Sequence, residues 1–337
     1  MGLIMWQSRA FKQLILGLCV GWAASTVWAQ SPAYPVKEGQ PLVLADWMER
    51  LHEAARNRSY TGTFMVQSGS DMAASKIWHV CDGRQQFERI ETLTGSPRIT
   101  LRRNDEVMTF LPERQMVLKE RRDALRIFPD FLRTPSQKIE TYYQAWRVGR
   151  DRVAGVEAEV VDVVPKDGLR HGYRIWSETT TGLVVKLQTR AASGQVLEQV
   201  AFTELQLNAP VKTDVLARQM SNTKGMRVVQ PQITPTQAES HGWRLRADVP
   251  GFQAMSTQVR SYGEGQSTLQ WIFSDGLASV SLFLQSFDAN RHRQEGALAD
   301  GVMQSMSKRV GDHWVTAMGE VPAETLGLFM LSIQRTR

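Results

Sequence analysis

Tyr60-Thr61-Gly62-Thr63-Phe64-Met65-Val66-Gln67-Ser68 opens the stretch whose reading decides the fold, and Gln115-Met116-Val117-Leu118-Lys119-Glu120 closes it. Six short runs fall within it: Tyr60 to Ser68, Lys76 to Asp82, Gln86 to Leu93, Arg98 to Arg103, Val107 to Leu111 and Gln115 to Glu120. They lean on β-branched and aromatic residues, and Gly, Pro, Asn and Asp separate them. Short strands at this spacing predict an antiparallel meander that curls into a barrel or half-barrel.

Before this stretch, between Pro41 and Arg58, Leu44, Trp47, Met48, Leu51 and Ala55 recur at spacings of three and four, the stripe of an amphipathic helix. After it, Asp123 to Tyr143 breaks the strand rhythm with Pro129 and Pro135, and a Ser136 start suits the cap of a short helix. Strand patterns resume at Trp146 to Val153, Glu157 to Val164, Gly172 to Ser177, Leu183 to Arg190 and Val196 to Leu205, with Thr181-Gly182 and Ser193-Gly194 as turns. One sheet is able to hold all of these strands.

Residues 208–239 lose both periodicities and gather Pro210, Pro231 and Pro235, the composition of a linker. Further strands are expected at Trp243 to Ala247, Ser267 to Ser274, Ala278 to Gln285, Val302 to Val310 and His313 to Gly319. Pro322 then suits the first turn of a closing helix through Leu331. The fold class is α+β: an antiparallel barrel or half-barrel with helices, then a smaller antiparallel sheet with one helix. The expected boundaries are a leader at 1–29, a first domain at 30–207, a linker at 208–239 and a second domain at 240–337.

The leader is read from Arg9 and Lys12, an apolar core from Leu14 to Ala24, and the small-residue site Val27-Trp28-Ala29. The core is short for a membrane span, which needs about 20 apolar residues, so cleavage after Ala29 and export out of the cytoplasm are expected. Cys81 would then be the sole cysteine, leaving stability to packed cores rather than a disulfide. In its strand-like run it reads as a small hydrophobe. The chain carries a net charge of +6, and its basic excess concentrates between Arg84 and Lys138, where twelve basic residues meet eight acidic ones. Such a segment suits anionic headgroups or an acidic peptide, and equally a solvated sheet face. An exported chain without a dense Lys/Arg tract is not expected to bind nucleic acid.

The six histidines are scattered, none with the paired helical spacing of a zinc hydrolase. There is no nucleophile elbow, phosphate-cradling loop or dinucleotide fingerprint. No enzyme activity, metal or cofactor is therefore expected. Aromatic residues are abundant in the first domain, and Phe64, Trp78, Phe110, Trp146 and Trp176 are candidates to line an apolar cavity if the sheet curls, although an ordinary core would use the same residues.

Several stretches resemble the RseB/MucB family: Tyr60 to Phe64, Asp82-Gly83 followed by Glu88-Arg89-Ile90 and Leu93-Thr94-Gly95, and Trp176 to Lys186. The resemblance is more specific at Phe273 to Ser281, Arg309 to His313 and Gly319 to Pro322, and it covers nearly the whole chain after the leader. It implies the half-open form of the antiparallel barrel, similar to LolA/LolB, and a smaller C-terminal domain. It also implies a periplasmic negative regulator of the envelope-stress sigma factor that binds the periplasmic part of a membrane-anchored anti-sigma factor of the RseA/MucA type. Such a regulator protects its partner from proteolysis and is released by lipopolysaccharide or another amphiphile. Charge reasoning offers Arg102, Arg103, Arg121, Arg122 and Arg126 for the anionic headgroup. The family-like stretches offer Phe273, Asp275, Arg309 and His313 for the partner. A lipoprotein or lipid carrier is the alternative, and the oligomeric state, homodimer included, stays open.

Overall fold

The computed structural model describes residues 39–336 apart from 82, 84, 123–127, 130–138 and 262–266. The expected leader and Arg126 lie outside the described residues. A short strand β1 (Gln40–Leu42) leads into α1 (Leu44–Asn57), whose buried residues are Leu44, Trp47, Met48, Leu51, Ala54 and Ala55. This is the single apolar stripe that the spacing predicts.

The meander follows as β2 (Tyr60–Ser68), β3 (Asp71–Cys81), β4 (Gln86–Thr92), β5 (Ile99–Arg103), β6 (Glu106–Leu111) and β7 (Met116–Arg121). After one helical turn, α2 (Ile139–Tyr142), it resumes as β8 (Tyr143–Val153), β9 (Val156–Pro165), β10 (Gly172–Glu178), β11 (Val184–Arg190) and β12 (Val196–Leu207). Strand β12 pairs antiparallel with β2, placing Phe202 opposite Phe64, and so joins both halves into one sheet. With β13 (Arg227–Val229) at one edge and β1 at the other, the sheet has thirteen strands among the described residues and does not close.

Alternation of side chains along each strand gives this sheet two apolar faces. On the inner face α1 packs against Tyr60, Phe64, Ile77, Val107, Ile175 and Phe202, and the Tyr60 hydroxyl donates to the Ala55 carbonyl at 3.2 Å. On the outer face α3 (Thr213–Ser221) sets Leu216 and Met220 over Val80, Phe87, Leu101, Met108, Phe110 and Val117. Each large side chain fully buried in this way contributes about 1.5–3 kcal/mol.

The smaller sheet runs in the order β14 (Gln232–Pro235), β16 (Gln253–Ser261), β17 (Ser267–Ser274), β18 (Ser279–Ser286), β21 (His313–Gly319), β20 (Met303–Val310) and β19 (Gly296–Asp300). One of its faces is covered by α4 (Ala323–Ser332), which packs Leu326, Phe329 and Met330 on a core that includes Trp271, Phe273, Leu282 and Val315. Pro322 caps this helix. A separate pair, β15 (Trp243–Leu245) with β22 (Ile333–Arg335), brings the C-terminal end back onto the start of this region.

The expected linker is not free chain. It contains α3, and it adds β13 in parallel to β7 and β14 antiparallel to β16, with only Gln230 and Pro231 between the two strands. These runs are too short to show a period, yet they satisfy their backbone groups on the sheet edges. No helix among the described residues is long and apolar enough to cross a membrane.

Candidate functional site

Between the inner face of the large sheet and the uncovered face of the small one lies a cleft of about 410 Å³. The large sheet supplies Phe64 and Val66 from β2, Tyr173 from β10, Leu187 from β11 and Val200 from β12, joined by Phe128. Val66, Val200 and Leu187 form a cross-strand row, which is why one side of the cleft is continuously apolar. Phe64, Phe128 and Phe202 cluster with ring centroids 4.9–6.2 Å apart. The small sheet supplies Ser281, Phe283, Met303 and Met318, and its β17–β18 turn supplies Leu277 and Ala278.

Among the described residues, two carboxyls, Glu198 and Glu320, are the only charged groups lining the cleft. Glu198 stands between Thr189 of β11 and Ser68 of β2. Burial, reinforced by the nearby Glu320, pushes its carboxyl up to about 7. Burial raises Glu320 as well. Desolvation disfavours the charged form, so the protonated form gains.

At one end of the cleft the two sheets are fastened by a buried cluster. Arg170, in the loop before β10, donates from Nε to Asp275 Oδ2 at 2.7 Å and from Nη2 to the Pro250 carbonyl at 2.7 Å. The Tyr143 hydroxyl donates to the same Asp275 oxygen at 2.9 Å, and burial holds this phenol well above its ordinary pKa. The guanidinium lies over Tyr142 and Phe252. Gly251 leaves the room: a Cβ there would come within 1.9 Å of Arg170 Nη2, and its φ of +83° is strained for any other residue. Thr325 adds a bond to the Leu169 carbonyl at 2.7 Å. Beside it, burial takes His171 down to about 4. Elsewhere on the seam, Arg260 of β16 pairs with Glu120 of β7.

Of the five aromatic residues expected around one cavity, Phe64 lines the cleft. Trp78 lies on the outer face, between Lys76 and Arg89, in a groove beside α3. Phe110 packs under α3. Trp146 stands opposite Asp162. Trp176 donates its indole N–H to Asp151 at 3.0 Å, with Lys186 over its ring.

The expected headgroup cations also separate. Arg102 is 1 % exposed and bonds Glu88, Gln86 and the Asn104 carbonyl, so it is an internal cation held by internal partners rather than a surface one. Arg103, Arg121 and Arg122 are exposed, bonded respectively to Gln85, Asp105 and Glu120. Among the expected partner residues, Phe273 belongs to the core under α4, 4.9 Å from Phe329, and Asp275 is the buried fastening described above. Both are therefore unavailable to a partner on the surface. Arg309 is exposed over the Phe287 ring, and His313 pairs with Asp312. Sequence reasoning missed Arg170, Glu198 and Glu320, and it counted Tyr143 only among the aromatic residues of the first domain, with no role in fastening the sheets. The only local signal was the Asp275-Gly276 turn. No group of side chains among the described residues has the makings of a metal site.

The family model described as MucB/RseB N-terminal domain matches residues 44–220, and that described as MucB/RseB C-terminal domain matches residues 237–334. The chain is 29 % identical over 306 residues to the sigma factor AlgU regulatory protein MucB of Pseudomonas aeruginosa, covering 86 % of this chain and 90 % of that protein. It is 20 % identical over 285 residues to the sigma-E factor regulatory protein RseB of Escherichia coli K12, covering 82 % and 86 %. The solved complex of Pseudomonas aeruginosa MucA and MucB superposes with a TM-score of 0.67 at 27 % identity, over 87 % of this chain and 99 % of that one. A crystal structure of MucB in complex with MucA(peri) gives 0.66 at 26 % identity, over 87 % and 98 %. With both family domains matched in order over most of its length, the chain belongs to the MucB/RseB family.

Proposed function

We propose that this chain is a periplasmic regulator that binds the periplasmic region of a membrane-anchored anti-sigma factor, shields it from regulated proteolysis and lets it go when an amphiphile such as lipopolysaccharide arrives. The observation that carries the reading is family membership, together with a relative whose structure was solved in complex with MucA(peri). The regulatory names of the relatives support it. The apolar cleft supports the amphiphile, with Phe64 on its wall and the exposed Arg103, Arg121 and Arg122 as headgroup cations outside it; Arg126 is kept as a headgroup candidate on charge alone. Arg309 and His313 remain as partner-contacting residues on the second domain.

A lipid or lipoprotein carrier would use the same cleft. Calorimetry with the periplasmic segment of the anti-sigma factor separates the two readings. Saturable binding that protects the segment from its protease is expected. Absence of binding, with lipoproteins captured from envelope extract instead, would leave the carrier.

A further inference from the structure

The β17–β18 turn of the small sheet reaches into the large one. Leu277 packs on the core of the large sheet and also lines the cleft. The turn is held by one carboxylate that serves two purposes. Asp275 Oδ1 accepts from the backbone N–H groups of Leu277 and Ala278 at 2.9 and 2.8 Å, fixing the shape of the turn. Its Oδ2 accepts from Tyr143 and Arg170, fixing the turn to the large sheet. Ser274 completes the turn by accepting from the Gly276 N–H and donating to the Ala278 carbonyl. The side chains of Arg170 and Asp275 are both fully buried.

This is an unusual way to join two apolar surfaces. Well-packed apolar residues generally hold such a seam as firmly as a buried ion pair, whereas a buried pair holds only while both charges are in place. The best-attested use of such a pair is to specify one arrangement against another. Here the arrangement specified is one in which the protein's own leucine packs on the core of the large sheet and lines its apolar cleft.

We propose that the Asp275–Leu277 turn is an internal stopper: it occupies the cleft that an acyl chain would enter, and Asp275 latches it to Arg170 and Tyr143. The inference rests on the reading of the cleft as an amphiphile site. A chain entering the cleft competes with Leu277 for the same apolar wall, and displacing the turn uncouples Asp275 from the large sheet. Ligand entry and loosening of the seam thereby become one event, which is the differential affinity that a ligand-driven switch requires.

The test uses the full mature chain and the neutral apolar fluorophore N-phenyl-1-naphthylamine. Asp275→Asn keeps an oxygen for the turn amides but presents an amide in place of the charge to Arg170. Leu277→Ser removes the apolar occupant and keeps the latch. Each variant is expected to bind the probe about tenfold more tightly than wild type. In wild type, saturating probe is expected to speed hydrogen exchange at the Leu277 and Ala278 amides. Folded variants with wild-type probe affinity would overturn the stopper while leaving the cleft as a ligand site. No probe binding by any of the three proteins would overturn the cleft reading and the stopper with it. If Asp275→Asn does not fold, Leu277→Ser and the exchange measurement decide, and unchanged affinity with unchanged exchange rejects the stopper.

Discussion

Arg260 of the small sheet and Glu120 of the large sheet pair across the seam, and the Glu120 side chain is only 2 % exposed. Glu120 also receives Arg122 from its own sheet. Removing Arg260 leaves, among the described residues, a buried carboxylate paired with the half-exposed Arg122. Arg260→Ala is therefore expected to lower stability by about 3 kcal/mol, the low end for breaking a buried pair, as a fall in the urea midpoint. A double-mutant cycle with Glu120→Gln checks the pairing: additive losses would show that the two residues do not couple.

His171 makes stability depend on acidity. Burial holds it at about 4 when folded, against an ordinary value of 6.5. Between those values the unfolded chain binds the extra proton, so stability falls as pH drops from about 6.5 to about 4, by up to roughly 3 kcal/mol. Urea unfolding at pH 7 and pH 4.5 should show a smaller loss for His171→Gln than for wild type. Equal losses would exclude His171.

Glu198 acts with the opposite sign. Its folded value of about 7 lies above the ordinary 4.5, so between the two it is the folded chain that binds more protons, and stability falls as pH rises through this window. Glu198→Gln is expected to raise stability at pH 8 by about 2 kcal/mol, short of the full shift because water reaches the cleft, and to change little at pH 4.5. A variant no more stable than wild type at pH 8 would remove Glu198 from the account.

Exposed arginines are expected to steer an anionic headgroup. Arg121→Ala combined with Arg122→Ala should weaken lipopolysaccharide binding and flatten its salt dependence, because exposed charges are screened beyond about 10 Å at 0.1 M salt. Such surface changes usually alter stability by no more than about 0.5 kcal/mol. An unchanged salt slope would return both residues to ordinary solvated surface. Arg102→Ala should behave differently, lowering stability because it strips Glu88 of its buried partner.

Amphiphile and anti-sigma segment should antagonise each other. Linkage requires the same factor in both directions, about 5 to 150-fold for typical allosteric coupling. Titrating each ligand with and without the other measures it. Equal affinities would leave a shield whose removal depends on another signal.

Much of the large sheet was legible because its strands are short runs rich in β-branched and aromatic residues, set off by Gly, Pro, Asn and Asp. Tyr60 to Ser68 is a strand with the expected bounds. In the small sheet Gln253–Ser261 escaped, since Ser256, Thr257 and Gln258 offer no apolar face to read, and Gly296–Asp300 escaped because all of it is exposed. The site was less legible for a different reason. With α1 on one face of the large sheet and α3 on the other, apolar residues occupy both parities of a strand. Phe64 and Phe110 therefore look alike in sequence yet face opposite ways. The seam left almost no trace, because Arg170 and Asp275 stand 105 residues apart and Glu120 and Arg260 stand 140 apart.

The crossing from β13 to β14 gives each sheet one of its edge strands. If the sheets swing far apart, the two residues between these strands cannot span the gap, and at least one strand must peel away. The bared edge would present unpaired N–H and C=O groups to any neighbouring chain, a template for edge-to-edge aggregation. Solubility thus sets a limit on how far the two sheets can separate: motions that keep both edges covered are safe, and larger ones invite self-association.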